Sequence, residues 1–212
     1  MALPPGNTAR SFAAALQNFQ AKRFAEAESA CIDVLRTDHQ HVDALHLLGV
    51  LRSKAGDLDE SVSYLERALK LKPDLTEARF NLGKGLRDLE RREEALAAFQ
   101  DVSEAWPDRA DIWTELAVSL SRLNRREEAI EAYHRAIHIE GESPHLLTQV
   151  ARLQFLSGDL AVVAGWATWE ANAESATAGT EPAITVGPMA ADAADVNVEV
   201  ARLVMEHVRV IG

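Results

Sequence analysis

Apolar residues along this chain recur three and four positions apart, the spacing that lines one face of a helix. One stretch holds Leu45, Leu48 and Gly49, with Arg52 closing the turn. A second holds Leu82, Gly83 and Leu86, and a third holds Trp113, Leu116, Ala117 and Leu120. Each is followed by another helical stretch: Val62, Leu65, Ala68 and Leu69; Leu96, Phe99 and Val102; Ile130, Tyr133, Ala136 and Ile137. Short polar segments separate the members of each pair, Ala55-Gly56-Asp57, Glu90-Arg91-Arg92 and Asn124-Arg125-Arg126. Pro73 and Pro107 end the second stretches, because proline cannot continue a helix. The pattern predicts helical hairpins one after another.

The hairpins keep a fixed interval. Gly49 and Gly83 stand 34 residues apart, as do Pro73 and Pro107, and Leu48, Leu82 and Leu116 take the same step twice. The pairs Glu26-Ala27, Glu60-Ser61, Glu94-Ala95 and Glu128-Ala129 take it three times. A period of this length marks a repeat architecture, in which one hairpin cannot bury its own apolar face and stability comes from stacking.

At these residues the chain resembles the tetratricopeptide repeat family, whose pattern is W-x2-L-G-x2-Y, then A-x3-F, then P. One unit supplies Leu82-Gly83, Leu86, Ala95, Phe99 and Pro107; the unit before it supplies Leu48-Gly49, Ala68 and Pro73, with Ser61 and Leu65 as close substitutes. The unit after supplies Trp113, Leu116, Ala129 and Tyr133, but carries Ala117 for Gly and Gly141 for Pro. The resemblance covers residues 42–142 and implies an all-α solenoid of stacked hairpins, wound as a right-handed superhelix. The expected organisation is a tail at 1–7 and an array at 8–173. Within the array, units fall at 42–75, 76–109 and 110–143, between degenerate units at 8–41 and 144–173.

Residues 174–190 lose the periodicity and hold two Gly and two Pro, as a linker does. Residues 191–212 turn apolar again. Val200, Leu203, Val204, Val208 and Ile211 suit a helix, whereas Val196, Val198 and Val200 alternate like a strand. This segment reads either as a helix capping the array or as the start of a further domain.

Composition narrows the partners. Apolar residues make up 47% of the chain, enough for a core, and the net charge is −11. A negative field disfavours phosphate backbones and anionic membranes, so neither nucleic acid nor membrane is expected as a partner. Residues 1–10 lack the features of a signal peptide, and no run of about 18 apolar residues exists. With a single cysteine, Cys31, these features lead to the expectation of a cytoplasmic protein.

No catalytic or metal-binding set emerges, and the chain is expected to be neither an enzyme nor a cofactor carrier. Gly83-Lys84-Gly85 lies inside a predicted helix and follows no strand, so it is no dinucleotide fingerprint. His134 and His138 stand one turn apart but lack a third ligand, and read as surface histidines. Cys31 occupies an apolar position with no base to activate it and reads as a buried structural thiol. Trp113 and Trp166 read as packing residues.

In the family it resembles, partners lie along the first helices of successive hairpins, on the concave side. The resemblance places His46, Val50 and Lys54 there, then Phe80, Asn81, Lys84 and Arg87, then Val118, Arg122 and Arg152. Val50, Phe80 and Val118 are apolar where no core requires them, and the cations would form one local basic cluster. Such a stripe is either a solvated face or a groove for a peptide with apolar anchors and some carboxylates. The expected function is therefore a protein-interaction module or scaffold, able to self-associate through exposed terminal repeats. Similar arrays also precede glycosyltransferase, sulfotransferase or methyltransferase domains, which makes a recruiting arm the alternative. The Asn recurring along the groove of the sugar-transferring relatives is matched only by Asn81. A co-chaperone gripping acidic C-termini would need a Lys and an Asn where Phe12 and Leu16 stand.

Overall fold

A computed structural model describes residues 5–141 and 143–157. The described residues form nine helices and no strand. They are α1 (Pro5–Gln20), α2 (Phe24–Thr37), α3 (Val42–Ala55), α4 (Leu58–Leu71) and α5 (Thr76–Asp88), then α6 (Arg92–Ala105), α7 (Ala110–Arg122), α8 (Arg126–Glu140) and α9 (Pro144–Ser157). Over the described residues the all-α architecture that the resemblance implied is what forms. Helix α1 begins at Pro5, inside the stretch assigned to the tail, because proline is well suited to a first helical turn. The second half of the unit expected at 144–173, the linker and the C-terminal segment lie outside the described residues.

The chain divides into two compact units, residues 1–107 and 108–212. In the first, α1 packs on α2, α3 on α4, and α5 on α6, and each hairpin packs on the next. In the second, α7 packs on α8, and α8 on α9.

One turn geometry joins the helices within each of the four described hairpins. Lys22, Gly56, Glu90 and Asn124, spaced 34 apart, all adopt left-handed backbone with φ of 58°, 89°, 59° and 60°. The following N–H groups close on the carbonyl five residues back: Arg23 to Asn18, Asp57 to Arg52, Arg91 to Leu86 and Arg125 to Leu120, at 2.9–3.0 Å. This is the Schellman closure, which satisfies carbonyls that the helix end leaves unpaired. At the other end of the hairpins Pro73 and Pro107 follow α4 and α6 after a single capping residue, Lys72 or Trp106.

The small residues of the repeat sit where the two helices of a hairpin touch. A Cβ placed on Gly49 would lie 2.6 Å from Leu65 Cγ, and one on Gly83 would lie 2.8 Å from Phe99 Cε1. Leu65 and Phe99 are fully buried, so neither has room to retreat. Ser61, at the position where other repeats carry Ala, is also fully buried. Its hydroxyl donates to the Gly49 carbonyl at 2.7 Å, which supplies the partner a buried hydroxyl needs. Arg52 ties three helices together, pairing with Glu28 of α2 and with Asp57 and Glu60 at the start of α4.

Candidate functional site

The first helices of unit 1 share a face. Phe12, Leu16 and Phe19 project from α1, Asp43, His46, Leu47 and Val50 from α3, and Glu77 and Asn81 from α5. Together they line a cleft of about 490 Å³. The helical period explains the assembly. Residues 12, 16 and 19 lie on one stripe of α1, residues 43, 46, 47 and 50 on one stripe of α3, and 77 and 81 on one stripe of α5. Other stripes of the same helices bury Ala15, Leu45, Leu48 and Ala78 in the core.

The floor of the cleft holds a polar link. The Asn81 side-chain amide and His46 Nε2 lie within hydrogen-bond distance at 3.0 Å. Burial pushes the His46 imidazole below its ordinary pKa, while the Glu77 and Asp43 carboxylates pull it partly back up. Leu16 at the rim is 40% exposed, unusual for a leucine on a packed helix. Phe12 stacks near His41 with centroids 5.0 Å apart, and Phe19 meets Phe24 at 5.9 Å, so the aromatic wall is held from behind.

Of the residues proposed from sequence, the structure brings His46, Val50 and Asn81 together at this cleft. Phe80 proves to be a core residue: it is 7% exposed and meets Phe99 edge-on at 5.9 Å. Reading α5 as an isolated helix missed this, because the wall that covers Phe80 comes from α6. Lys84 lies with its ammonium 5.6 Å from the Phe80 ring, and Lys54 with its ammonium 5.8 Å from Phe24. Arg87 pairs with its neighbour Asp88 at 2.8–2.9 Å. Among these lysines and this arginine, each side chain has an aromatic or acidic neighbour of its own. Val118, Arg122 and Arg152 belong to unit 2, where Val118 is half-buried and both arginines are exposed. Leu16, Asp43, Leu47 and Glu77 complete the cleft. Leu16 is exposed while Ala15 beside it is fully buried, a difference that only the packed structure shows.

Elsewhere the chemistry is structural. Cys31 is fully buried, and burial pushes its thiol up to about 12, so the nucleophilic thiolate is suppressed. Arg91 and Arg125, the residues just before the second helices of their hairpins, pair with Glu94 and Glu128 at 2.5–2.8 Å. Trp113 is half-buried and carries the Arg135 guanidinium 4.7 Å over its ring. Among the described residues no three His, Cys, Asp or Glu side chains gather to hold a metal ion. No described helix is long and apolar enough to cross a membrane.

Stacked helical hairpins with a small residue at each internal contact define a helical-repeat protein. Residues 80–145 match the family model described as tetratricopeptide repeat, and residues 4–105 match one described as bacterial transcriptional activator domain. Residues 80–145 therefore carry tetratricopeptide repeats. Among solved structures, it is similar to MamA 41-end from Desulfovibrio magneticus RS-1, with 19% identity and a TM-score of 0.68, over 72% of this chain and 86% of that one. Another structure titled as MamA protein is 21% identical, covers 84% of this chain and 98% of that one, and has a TM-score of 0.68. A third, MamA AMB-1, is 24% identical over 71% and 89% of the two chains, with a TM-score of 0.66. These likenesses are of fold. No curated protein matches the chain in sequence.

Proposed function

We propose that the chain is a protein-interaction module, and that the first-helix face of unit 1 holds a segment of a partner protein. The observation that carries this reading is the cleft itself. Leu16 and the half-buried Phe12, Phe19 and Val50 form an apolar surface open to solvent, beside polar groups that can fix orientation. Its volume of about 490 Å³ falls within the roughly 300–1,000 Å³ typical of ligand sites. The function is binding, with no catalytic step assigned to any residue.

A photo-crosslinking amino acid placed singly at Leu16 or Val50 tests the reading. Controls go at Ser63 of α4 and Ala97 of α6, exposed residues on second helices. Crosslinks to a discrete protein from Leu16 and Val50, and not from the controls, are the expected result. Crosslinks confined to the second helices would overturn it.

A second reading rests on the activator-domain match, whose residues 4–105 nearly coincide with unit 1. On that reading the same face serves a regulator of transcription by binding protein rather than DNA, consistent with a net charge of −11. The crosslinked partner decides between them. A DNA-binding or transcription protein favours the second reading, and any other protein rejects it.

A further inference from the structure

The cleft of unit 1 has a charge sign, and that sign restricts what can enter it. We propose that it takes a segment in which an apolar side chain is flanked by lysine or arginine. This deepens the interaction reading above and rests on it. It reverses the expectation of a carboxylate-bearing partner that the sequence alone suggested.

Two carboxylates line the cleft, Asp43 and Glu77, and no lysine or arginine does. They stand 34 residues apart, in the first turns of α3 and α5, so successive repeats place them at the same end. Both act on one imidazole on the floor, that of His46, which locates their fields within the same cleft. Arg79, near the start of α5, pairs with Asp101 of α6, and the other cations of these two helices lie further along them: Arg52 pairs with Glu28, Asp57 and Glu60, Lys54 and Lys84 sit against Phe24 and Phe80, and Arg87 pairs with Asp88. The cleft therefore runs from an acidic end to an apolar body.

Carboxylates in a first helical turn also offset the helix dipole, and that alone could account for either one. It does not account for their lying in register at the rim of an exposed apolar surface. There a cation on the partner gains two acidic neighbours while its own apolar neighbour is covered. Asp43 precedes His46 and Leu47 by about one turn, and Val50 follows a turn later. A partner helix with a cation one turn from an apolar anchor matches that spacing. The net charge of −11 also attracts a basic segment over distance.

The test is selection of a random dodecapeptide library, displayed on phage, against three full-length proteins. These are the wild type, Asp43→Asn with Glu77→Gln, and Leu16→Asp. Circular dichroism and melting establish first that each variant folds. The wild type should enrich peptides with Lys or Arg beside Leu, Phe or Trp. A synthetic peptide of the enriched sequence should bind the double variant at least tenfold more weakly and should be lost on Leu16→Asp. Enrichment of acidic or uncharged peptides that still depend on Leu16 would overturn the charge assignment and leave the cleft as a binding face. Enrichment independent of Leu16, or none, would overturn both.

Discussion

At the residue scale the tightest constraint is the contact between first and second helices of a hairpin. Gly83 lies against the buried Phe99 ring, with three ring carbons 2.8–3.1 Å from where a Cβ would stand. Alanine favours a helix over glycine by roughly 1 kcal/mol, yet overpacking costs roughly 1–3 kcal/mol. Gly83→Ala is therefore expected to lose about 1 kcal/mol in urea denaturation, and Gly83→Trp well over 3 kcal/mol, enough to threaten folding. A stability unchanged in both would mean that α5 and α6 do not approach this closely. Phe80 illustrates the limit of reading residues singly. Its position on the helical wheel suggested a partner-facing anchor, and the ring of Phe99 makes it core.

At the element scale the hairpin turns repeat a left-handed residue that the amino-acid types conceal. Only one of the four positions is glycine, the others being Lys22, Glu90 and Asn124. Left-handed backbone costs a residue with a Cβ roughly 1–2 kcal/mol, and glycine gives back part of that by its greater freedom when unfolded. Glu90→Gly is expected to gain up to about 1 kcal/mol, because the exposed Glu90–Arg92 pair it removes contributes little. Gly56→Ala is the converse. Nothing lies within 4 Å of the added Cβ, so its loss of about 1 kcal/mol would report backbone strain alone. Chemical denaturation of both variants checks the pair, and opposite signs are required.

For the molecule as a whole, the cleft couples stability to pH. The folded state holds His46 below its ordinary value of 6.5, since burial disfavours the imidazolium. Asp43 and Glu77, the charged groups acting on it, oppose this only in part. Below 6.5 the unfolded chain binds the proton that the folded chain resists. The His46 contribution is therefore fully present above 6.5 and lost as pH falls toward the depressed folded value. Wild type should lose more stability between pH 7.5 and 5.5 than His46→Gln does, measured by urea midpoints. An equal loss would show that the imidazole is not held neutral.

The repeat period, the helix pairing and the positions of Gly49 and Gly83 were legible in the sequence because each depends on local spacing. A small residue every 34 positions and a helical stripe of apolar residues are properties of the chain alone. The buried state of Cys31 followed likewise from its place on an apolar stripe. What only the tertiary structure decided is which exposed residues meet. The cleft unites α1, α3 and α5, and stacking alone sets how they align. That is why Phe80 passed for surface, and why Lys54 and Lys84 looked like one cluster before each was seen against its own aromatic ring. A single helix determines which residues share a face. Only the neighbouring helix determines whether that face is covered, and with what charge.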